Sequence, residues 1–199
     1  MSDRPATTLS RRAARVALAA ILLAGLAPQL WWITRGRETL VAQALYEDAF
    51  YYFQNARNVA RGRGSVSAGG IPNNGYHPMW MLVSAGAFRL AGGRDLAAIR
   101  GILAFSVLLS MAAALVAYRA ARALGCGRGA ALLGAGALHL NPYMLDLSVS
   151  GLEAALNALL IAAVVWWTAR SRQRRPRWGG WGVPVDQSTP HRRLPIAAS

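Results

Sequence analysis

Long apolar blocks constrain the fold of this chain more than any other feature of its sequence. A helix rises about 1.5 Å per residue, so about 20 mostly apolar residues are needed to cross the roughly 30 Å core of a bilayer. Residues 13–33 meet this requirement, residues 101–118 and 152–169 come close to it, and residues 129–145 form a weaker block. The blocks predict an all-α, multi-pass transmembrane helix bundle of about four to five membrane segments.

The charges of the chain are concentrated at the ends of these blocks. The net charge of +14 comes from arginine, since the sequence contains no lysine. Arg11, Arg12 and Arg15 stand at the start of the first block, and a run of arginines at 170–177 follows the last one. This positive-inside pattern predicts an inner (plasma) membrane protein with both termini in the cytoplasm. A pI near 11.6 is also typical of nucleic-acid binding, but the position of the arginines favours membrane topology and no nucleic-acid partner.

The distribution of apolar and polar residues predicts three regions. Residues 1–12 form a basic cytoplasmic arm, residues 13–169 a transmembrane domain with an extracytoplasmic loop at 34–77, and residues 170–199 a cytoplasmic tail. The tail is rich in Arg, Pro and Gly without an apolar period, so it is expected to be disordered. The first block is expected to be retained, because its apolar run exceeds the roughly 7–15 residues of a signal peptide.

Residues 79–90 leave the topology open, since this segment spans only roughly 18 Å at helical rise. If it crosses the membrane, Arg119, Arg122 and Arg128 lie outside, against the arginine bias. If it enters only part-way, these arginines become cytoplasmic, and the segment SVSGLE lies on the same outer side as the first loop. The arginine bias favours the second arrangement.

Residues 41–60 show the period of an amphipathic helix within the first loop. Apolar side chains recur at three- and four-residue steps along this stretch. Gly62 and Gly64 follow it, and glycine is the usual residue of a left-handed cap that ends a helix. Four consecutive aromatic residues, 50–53, cover most of the circumference, which suits a helix at the membrane–water boundary.

Asp48 is the unusual residue of this helix, since it lies on the edge of the apolar stripe, next to the more polar Glu47. An ionised carboxylate there loses hydration and costs several kcal/mol unless it is paired. Two explanations stay open. One is an interfacial acid paired with Arg57, Arg61 or a tyrosine hydroxyl. The other is a partly dehydrated general base, placed where a hydroxyl substrate and a lipid-borne donor meet.

A second element, NNGYHPMW, follows at 73–80. Asn74-Gly75 is a turn signal, and His77 is expected to be extended because a proline follows it. Trp80 begins the next apolar segment. Taken alone, the element indicates a turn that leads into a helix with tryptophan at the membrane interface.

Together, EDAFYYFQNARNVARGRGSV and NNGYHPMW resemble the first extracytoplasmic loop of GT-C fold membrane glycosyltransferases, above all bacterial members that use polyprenyl-phosphate sugars. In that family an acidic pair after the first membrane helix opens a D-D-A-Y-Y-Y-F-x-x-A-R-N segment, and a T-N-G-F-H-P-L-W element follows. The later stretch SGLEAAL, residues 150–156, is similar to the family's S-G-M-E-T-A-L. The three elements keep the family's order along the chain.

The resemblance implies transfer of a sugar from a polyprenyl-phosphate donor to an acceptor hydroxyl at the outer face of the membrane. It implies Asp48 as the catalytic base, with Glu47 as its catalytic partner. His77 and Arg57 are expected to contact the donor phosphate, since cationic groups stabilise charge that develops on a leaving phosphate. The residues expected to bind substrate are Tyr52, Arg57, Asn74, His77 and Glu153.

Two further points stay open at this level. Glu153 either helps to build the site or marks the start of a helix, where an acid favours the helix dipole. A divalent cation held by Glu47 and Asp48 suits the preference of such ions for oxygen ligands. No ligand spacing in the sequence requires one, so no metal site is assigned.

The chain departs from the family in its number of membrane segments, since GT-C enzymes usually have many more helices and often a soluble domain after them. Three expectations stay open: a natural short form of such an enzyme, a truncated N-terminal part of one, or one part of a split enzyme in which a second chain supplies the missing helices. The alternative function is a non-catalytic membrane subunit that keeps the loop as a binding platform for a lipid or a partner. Transport has less support, because the apolar blocks carry few ionisable groups.

Overall fold

The structure is a computed structural model that describes residues 9–67 and 70–174. Over these residues the chain is helical or forms loops, apart from an isolated antiparallel bridge between Val66 and Pro72. A short α-helical turn, Arg37–Thr39, and a π-helical turn, Leu40–Ala44, connect the first two longer helices. The longer helices are α1 (Arg11–Ile33), α2 (Glu47–Ala60), α3 (Pro78–Leu90), α4 (Asp95–Ala123), α5 (Arg128–His139), α6 (Pro142–Val149) and α7 (Ala154–Arg174).

In the described part of the chain, 3 helices are long and apolar enough to span a membrane: α1, α4 and α7. The prediction of an all-α fold is confirmed by the element order of the described residues. The three long helices support the prediction of a membrane protein. The larger number of membrane segments predicted from the sequence is not confirmed, because residues 79–90 and 129–145 form shorter helices. The first segment lies in α3. The second is divided between α5 and α6, since Pro142 begins a new helix that the Asn141 side chain caps.

Hydrogen bonds between helix ends define two ends of the bundle. At the first, which we call the arginine end, Arg128 donates to the carbonyl just before α1 at 2.7 Å. There Gln173, near the end of α7, donates to the carbonyl of Ala123, the last residue of α4. At the second, which we call the cleft end, Arg100 near the start of α4 donates to the carbonyl of Arg35, just after α1, at 2.8 Å. Helices α4 and α7 therefore run in the same direction, opposite to α1.

Helices α5 and α6 together return the chain from the arginine end to the cleft end. α5 begins at Arg128 and ends at His139, whose Nε2 lies 3.3 Å from the carbonyl oxygen of Leu22, midway along α1. α6 then leads to Ser150, whose carbonyl accepts the Tyr46 N–H at 3.0 Å at the cleft end. The two helices thus cover the length of the bundle with a break between them.

Helix α3, by contrast, begins and ends at the cleft end. Near its start Trp80 donates from Nε1 to the carbonyl of Gly151 at 2.9 Å, and near its end Arg89 donates to the carbonyl of Ala60 at 3.3 Å. The chain therefore enters α4 at the end where α3 began. This geometry corresponds to the arrangement in which residues 79–90 do not cross the bundle, and the arginines that end α4 and begin α5 lie at the arginine end.

The single helix predicted over residues 41–60 is wrong in its extent. α2 starts only at Glu47, because Leu45 and Tyr46 are extended, with ψ angles of 135° and 153°. The N–H of Tyr46 donates to the carbonyl of Ser150, which holds this conformation in place. The break follows from a partner that lies far away in the sequence, so the local apolar period cannot show it.

One face of α2 is buried and the other is exposed. Ala49 and Ala56 are fully buried, whereas Phe50 and Tyr51 are 42% and 57% exposed. The aromatic run is therefore divided between the core and the surface. The predicted glycine cap is confirmed, since Gly62 has a φ of 73° and lies within the two hydrogen bonds of a Schellman motif.

The largest hydrophobic core lies at the cleft end, where α2, α3 and the first half of α4 meet. Leu40, Trp80, Ile102 and Leu103 are completely buried there. A second, smaller cluster of aliphatic side chains joins α1 to α5. The chain thus concentrates its buried side chains around the segments that carry the family resemblance.

The predicted terminal regions differ from the structure where they are described. Ser10 caps α1 through the Ala13 N–H at 3.1 Å, so the last residues of the predicted arm 1–12 are helical. α7 continues to Arg174, so the tail predicted from residue 170 begins as helix. The rest of both regions, 1–8 and 175–199, lies outside the described residues.

Candidate functional site

Three segments that are far apart in the sequence line one cleft at the cleft end, with a volume of about 420 Å³. They are the first turns of α2, the loop before α3 and the residues before α7. Each segment belongs to one of the three elements that carry the resemblance. We call this site the carboxylate cleft, because two acids line it. Its lining residues are Asp48, Tyr51, Tyr52, Asn73, Gly75, Tyr76, Leu152 and Glu153.

Gly151 joins the segment before α7 to the start of α2. Its φ is +89°, and a Cβ built at this position would lie 2.7 Å from the Cβ of Ala49 and 2.9 Å from the ring of Phe53. Only glycine allows both this conformation and this approach. The carbonyl of Gly151 also accepts the Trp80 Nε1–H at 2.9 Å. Gly151 of SGLEAAL therefore contacts both Trp80 of NNGYHPMW and α2, which carries the acidic pair. These contacts bring the three elements together.

Tyr46, immediately before α2, provides another connection. Its N–H donates to the carbonyl of Ser150 at 3.0 Å, and its hydroxyl donates to Oδ2 of Asp146 at 2.5 Å. The hydrogen bond to this carboxylate raises the pKa of Tyr46 above its ordinary value. The start of α2, which carries Glu47 and Asp48, is thus fixed to α6 and to the segment that precedes α7.

Tyr52 links α2 to the loop before α3. It is only 8% exposed, and its hydroxyl accepts the His77 N–H at 2.8 Å. Burial raises the pKa of Tyr52 to about 12; the His77 N–H opposes this change, and the Glu153 and Asp48 carboxylates reinforce it. Tyr52 is therefore a neutral hydroxyl at physiological pH, and its proton is directed toward the Glu153 carboxylate.

The loop between α2 and α3 has a defined conformation beside Tyr52. The hydroxyl oxygens of Ser65 and Tyr76 lie 2.6 Å apart, and the Gly75 N–H donates to the Asn73 side chain at 2.9 Å. Asn73, Gly75 and Tyr76 all line the carboxylate cleft. Asn74, which was predicted to bind substrate, is exposed and does not line it. The neighbouring Asn73 occupies the position that was expected for Asn74.

The two acids of the cleft differ in exposure. Asp48 is exposed in the first turn of α2, so the expectation of a partly dehydrated carboxylate at this position is wrong. Glu153 is half-buried, and its Oε2 is fully buried with no hydrogen-bond partner among the described residues. The dehydrated acid of the site is therefore Glu153. Its carbonyl also accepts the Asn157 N–H at 3.0 Å, so Glu153 both precedes a helix and lines the site.

Arg57, which was predicted to contact a donor phosphate, does not line the carboxylate cleft. It lies in a separate cleft of about 410 Å³ with Arg61, Arg89 and Asp95, which we call the Arg57 cleft. Its Nη2 is 2.5 Å from Oδ2 of Asp95, and each of the two side chains is 39% exposed. This pair was not predicted from the sequence, where its one signal is an acid in the first turn of α4.

His77 contributes to the site through its backbone. Its φ of −72° and ψ of 116° confirm the extended conformation predicted before Pro78. Its N–H donates to Tyr52, while Nδ1 of its imidazole is buried and has no hydrogen-bond partner within the described ranges. Glu47, the predicted partner of Asp48, is exposed and does not line the cleft.

In the described ranges, His, Cys, Asp and Glu side chains form no group of 3 or more that could hold a metal ion. The sequence left open a divalent cation held by Glu47 and Asp48, but these two acids do not share the cleft, since Asp48 lines it and Glu47 does not. Two carboxylates do share the cleft, Asp48 and Glu153. Oxygen atoms of this kind suit Mg²⁺, which usually keeps several of its waters.

The lining residues that sequence reasoning missed adjoin the ones that it named. Tyr51 precedes Tyr52, and Leu152 precedes Glu153. Asn73, Gly75 and Tyr76 lie inside the NNGYHPMW element. The element itself was therefore a sufficient signal for the region, but the choice of residue within it depended on the turn geometry.

Comparison of the chain with protein-family models, with curated proteins and with solved structures returns no match. The function of the carboxylate cleft is therefore argued from its own residues. They provide two carboxylates, a neutral tyrosine hydroxyl and exposed aromatic surface in one cavity. Such a set can hydrogen-bond a polyhydroxylated ligand and can accept a proton from a hydroxyl group.

Proposed function

We propose that this chain is a GT-C type membrane glycosyltransferase, or the N-terminal part of one, and that sugar transfer occurs in the carboxylate cleft. The donor is a polyprenyl-phosphate sugar and the acceptor is a hydroxyl group. One observation carries the proposal: three separate sequence elements, each similar to a family motif, line the same cavity. If the resemblance were fortuitous, nothing would require these elements to converge.

We infer that the cleft opens at the outer face of the plasma membrane. α1, α4 and α7 supply three crossings, and α5 with α6 supplies a fourth, broken one. The arginine end, where α1 begins and α7 ends, then faces the cytoplasm. Among the described residues it carries 9 arginines and the cleft end carries 8, and the further arginines of the sequence, at 4, 175, 177, 192 and 193, adjoin the arginine end along the chain. The distribution of acids agrees, since those within the described residues all belong to the cleft end: Glu38, Glu47, Asp48, Asp95, Asp146 and Glu153.

The two carboxylates have different roles in this proposal. The acceptor oxygen attacks the anomeric carbon of the donor sugar, the bond from that carbon to the phosphate oxygen breaks, and polyprenyl phosphate leaves. Asp48, which is exposed on the cleft, takes the proton of the acceptor hydroxyl. Glu153, whose Oε2 is buried and unpaired within the described residues, accepts a hydrogen bond from a sugar hydroxyl and orients the donor. Tyr52 donates a hydrogen bond from its neutral hydroxyl toward the Glu153 carboxylate and so orients this acid.

The side chain of His77 does not line the carboxylate cleft, but His77 directly follows the lining residue Tyr76 and is the better candidate for contact with the leaving phosphate. Its backbone is bound to Tyr52, a lining residue, and Nδ1 has no partner in the described part of the chain. Arg57 lies about 13 Å along α2 from Asp48 at helical rise and is paired with Asp95. Arg57 is therefore the weaker candidate, because Asp95 holds its guanidinium in the separate Arg57 cleft.

Turnover of polyprenyl-phosphate sugars by the purified protein in lipid nanodiscs tests the proposal. Asp48→Asn is expected to lower turnover by about 10²–10⁴-fold, the usual contribution of a general base. Glu38→Gln is the matched control, because Glu38 is an exposed acid at the cleft end that does not line the cavity. Wild-type turnover by both Asp48→Asn and Glu153→Gln, with unfolding transitions unchanged, would refute this assignment.

The alternative is a non-catalytic subunit that binds the donor lipid or a partner chain. The exposure of Asp48 favours it, because a solvated carboxylate gains no basicity from dehydration. In that case the wild type retains the donor lipid during native mass spectrometry, yet forms no product. Addition of a second chain that supplies further helices, followed by turnover that depends on Asp48, would instead show a divided enzyme.

A further inference from the structure

The arginine end carries a second polar cavity, which has no part in the proposed reaction. Its volume is about 510 Å³, and it opens between four helices. We call it the arginine cleft, because it is lined by Tyr118, Trp166 and six arginines: Arg11 and Arg15 of α1, Arg119 and Arg122 of α4, Arg128 of α5 and Arg170 of α7. We infer that this cleft binds the phosphate-bearing headgroup of an anionic phospholipid.

The positive charge of the arginine cleft is not balanced by acids in the described part of the chain. No carboxylate lines the arginine cleft, and the acids of the described residues lie at the opposite end of the bundle. Several guanidinium groups around one cavity repel one another unless an anion neutralises them. Orientation in the membrane requires positive charge on the cytoplasmic side, but it does not require that charge to converge on one cavity. The convergence therefore indicates an anionic ligand.

Geometry is the second argument. Arg128 donates from Nη1 to the carbonyl of Leu9 at 2.7 Å, and Arg122 donates to the carbonyl of Cys126. The guanidinium of Arg170 lies 5.4 Å from the centroid of the Trp166 ring. These contacts hold three of the six side chains in place before a ligand arrives. Each guanidinium has five N–H donors in a planar fork that matches phosphate oxygens, so donors remain for an anion.

Position selects a lipid headgroup over a free phosphate. The cleft lies where α1 begins and where α4 and α7 end. This position is the depth of the headgroup layer if these helices span a bilayer. Tyr118 and Trp166 line it, and these residue types mark the membrane–water interface in membrane proteins. Clusters of arginine at the cytoplasmic ends of membrane helices bind anionic headgroups. A lipid is also present there at high local concentration, whereas a soluble anion is not.

Lipid binding to the delipidated protein in a neutral detergent tests the inference. Phosphatidylglycerol, cardiolipin and phosphatidylcholine are added separately, and bound lipid is measured by native mass spectrometry together with the midpoint of thermal unfolding. We expect retention of the two anionic lipids and an upward shift of the midpoint, since a ligand that binds only the folded state stabilises it. Phosphatidylcholine is expected to have neither effect.

Two double variants with equal charge change separate the cleft from general electrostatics. Arg15→Gln with Arg119→Gln removes two lining charges that make no hydrogen bond to other described residues. Arg12→Gln with Arg172→Gln removes two exposed charges from the same end that do not line the cleft. The first pair is expected to weaken cardiolipin binding at least about tenfold, the second less than about threefold.

Three results would overturn the inference. Equal weakening in both double variants would mean non-specific attraction, and no preference for anionic lipids would mean that the arginines only set orientation. Stabilisation by inorganic pyrophosphate that matches cardiolipin in lipid-free detergent would assign the cleft to a soluble anion. Turnover at the carboxylate cleft is a separate readout, so failure of one proposal leaves the other standing.

Discussion

Replacement of Gly151 by alanine tests the packing that forms the carboxylate cleft. The new Cβ would lie 2.7 Å from the Cβ of Ala49 and 2.9 Å from the ring of Phe53, and Gly151 has a φ of +89°. Both neighbours are buried, at 0% and 4% exposure, so neither can move into solvent. The segment before α7 would therefore be pushed away from α2, and the Trp80 hydrogen bond to this residue would lengthen.

Two costs add at this position. The left-handed conformation costs a residue other than glycine about 1–2 kcal/mol, and overpacking of a filled site costs about 1–3 kcal/mol. Gly62→Ala is the matched control, because Gly62 has a φ of +73° and nothing within 4 Å of a built Cβ. It carries the first cost without the second. We expect Gly151→Ala to be the less stable variant by about 1–3 kcal/mol.

The free energy of unfolding is measured in mixed micelles with an increasing fraction of dodecyl sulfate, and circular dichroism monitors the loss of helix. A difference between the two variants below about 0.5 kcal/mol, the range of neutral surface substitutions, would refute the contact between Gly151 and α2. Turnover gives a second readout, since displacement of Glu153 is expected to lower the activity of Gly151→Ala and not that of Gly62→Ala.

Three further predictions concern topology, pH and the Arg57 cleft. Cys126 is exposed, and a membrane-impermeant maleimide is expected to label it only from the cytoplasm. The double variant Asn74→Cys with Cys126→Ser is expected to be labelled only from outside. The reverse pattern of labelling would contradict the proposed topology. The pKa of Tyr52 is about 12 in the folded chain against an ordinary value of 10.0. Its contribution to the free energy of unfolding is therefore intact below pH 10 and is lost toward pH 12, because the unfolded chain releases its phenolic proton first. Tyr52→Phe should flatten this alkaline fall in the free energy of unfolding, and an unchanged slope would contradict it. Arg57 and Asp95 are each 39% exposed, so a double-mutant cycle with alanine should give a coupling energy of no more than about 1 kcal/mol, and a larger value would show a less solvated pair.

The features that could be predicted from the sequence are those with a local physical cause. Apolar blocks of sufficient length gave three long helices, α1, α4 and α7, because the length needed to span a bilayer is fixed. The end of α2 followed from Gly62, and the conformation of His77 followed from Pro78, since each depends on one or two residues. The grouping of Tyr52 with Glu153 came from the resemblance, not from periodicity.

The features that could not be predicted depend on partners far away in the sequence. The break before α2 exists because Tyr46 donates to Ser150, and no local pattern contains that acceptor. The same break places Asp48 in a first helical turn, where it is exposed. The burial of Glu153, in contrast, depends on the close approach of the segment before α7 to α2, at Gly151 and Ala49. An acid's place in an apolar stripe therefore says less about its hydration than the start of its helix does.

The broken segment made by α5 and α6, which we propose as a fourth crossing, shows the same principle. His139 is a polar residue within the weaker apolar block 129–145, yet in the structure it is fully buried, with Nδ1 3.2 Å from the Ser110 hydroxyl of α4. Its Nε2 lies 3.3 Å from the Leu22 carbonyl of α1, and Gly25 leaves the space that the ring fills. Polar groups and helix breaks are tolerated at membrane depth where neighbouring helices satisfy them. Because those partners come from α1 and α4, the hydropathy of this segment alone does not show how its polar residues are accommodated. The histidine that interrupts the apolar pattern is the residue that joins this segment to the bundle.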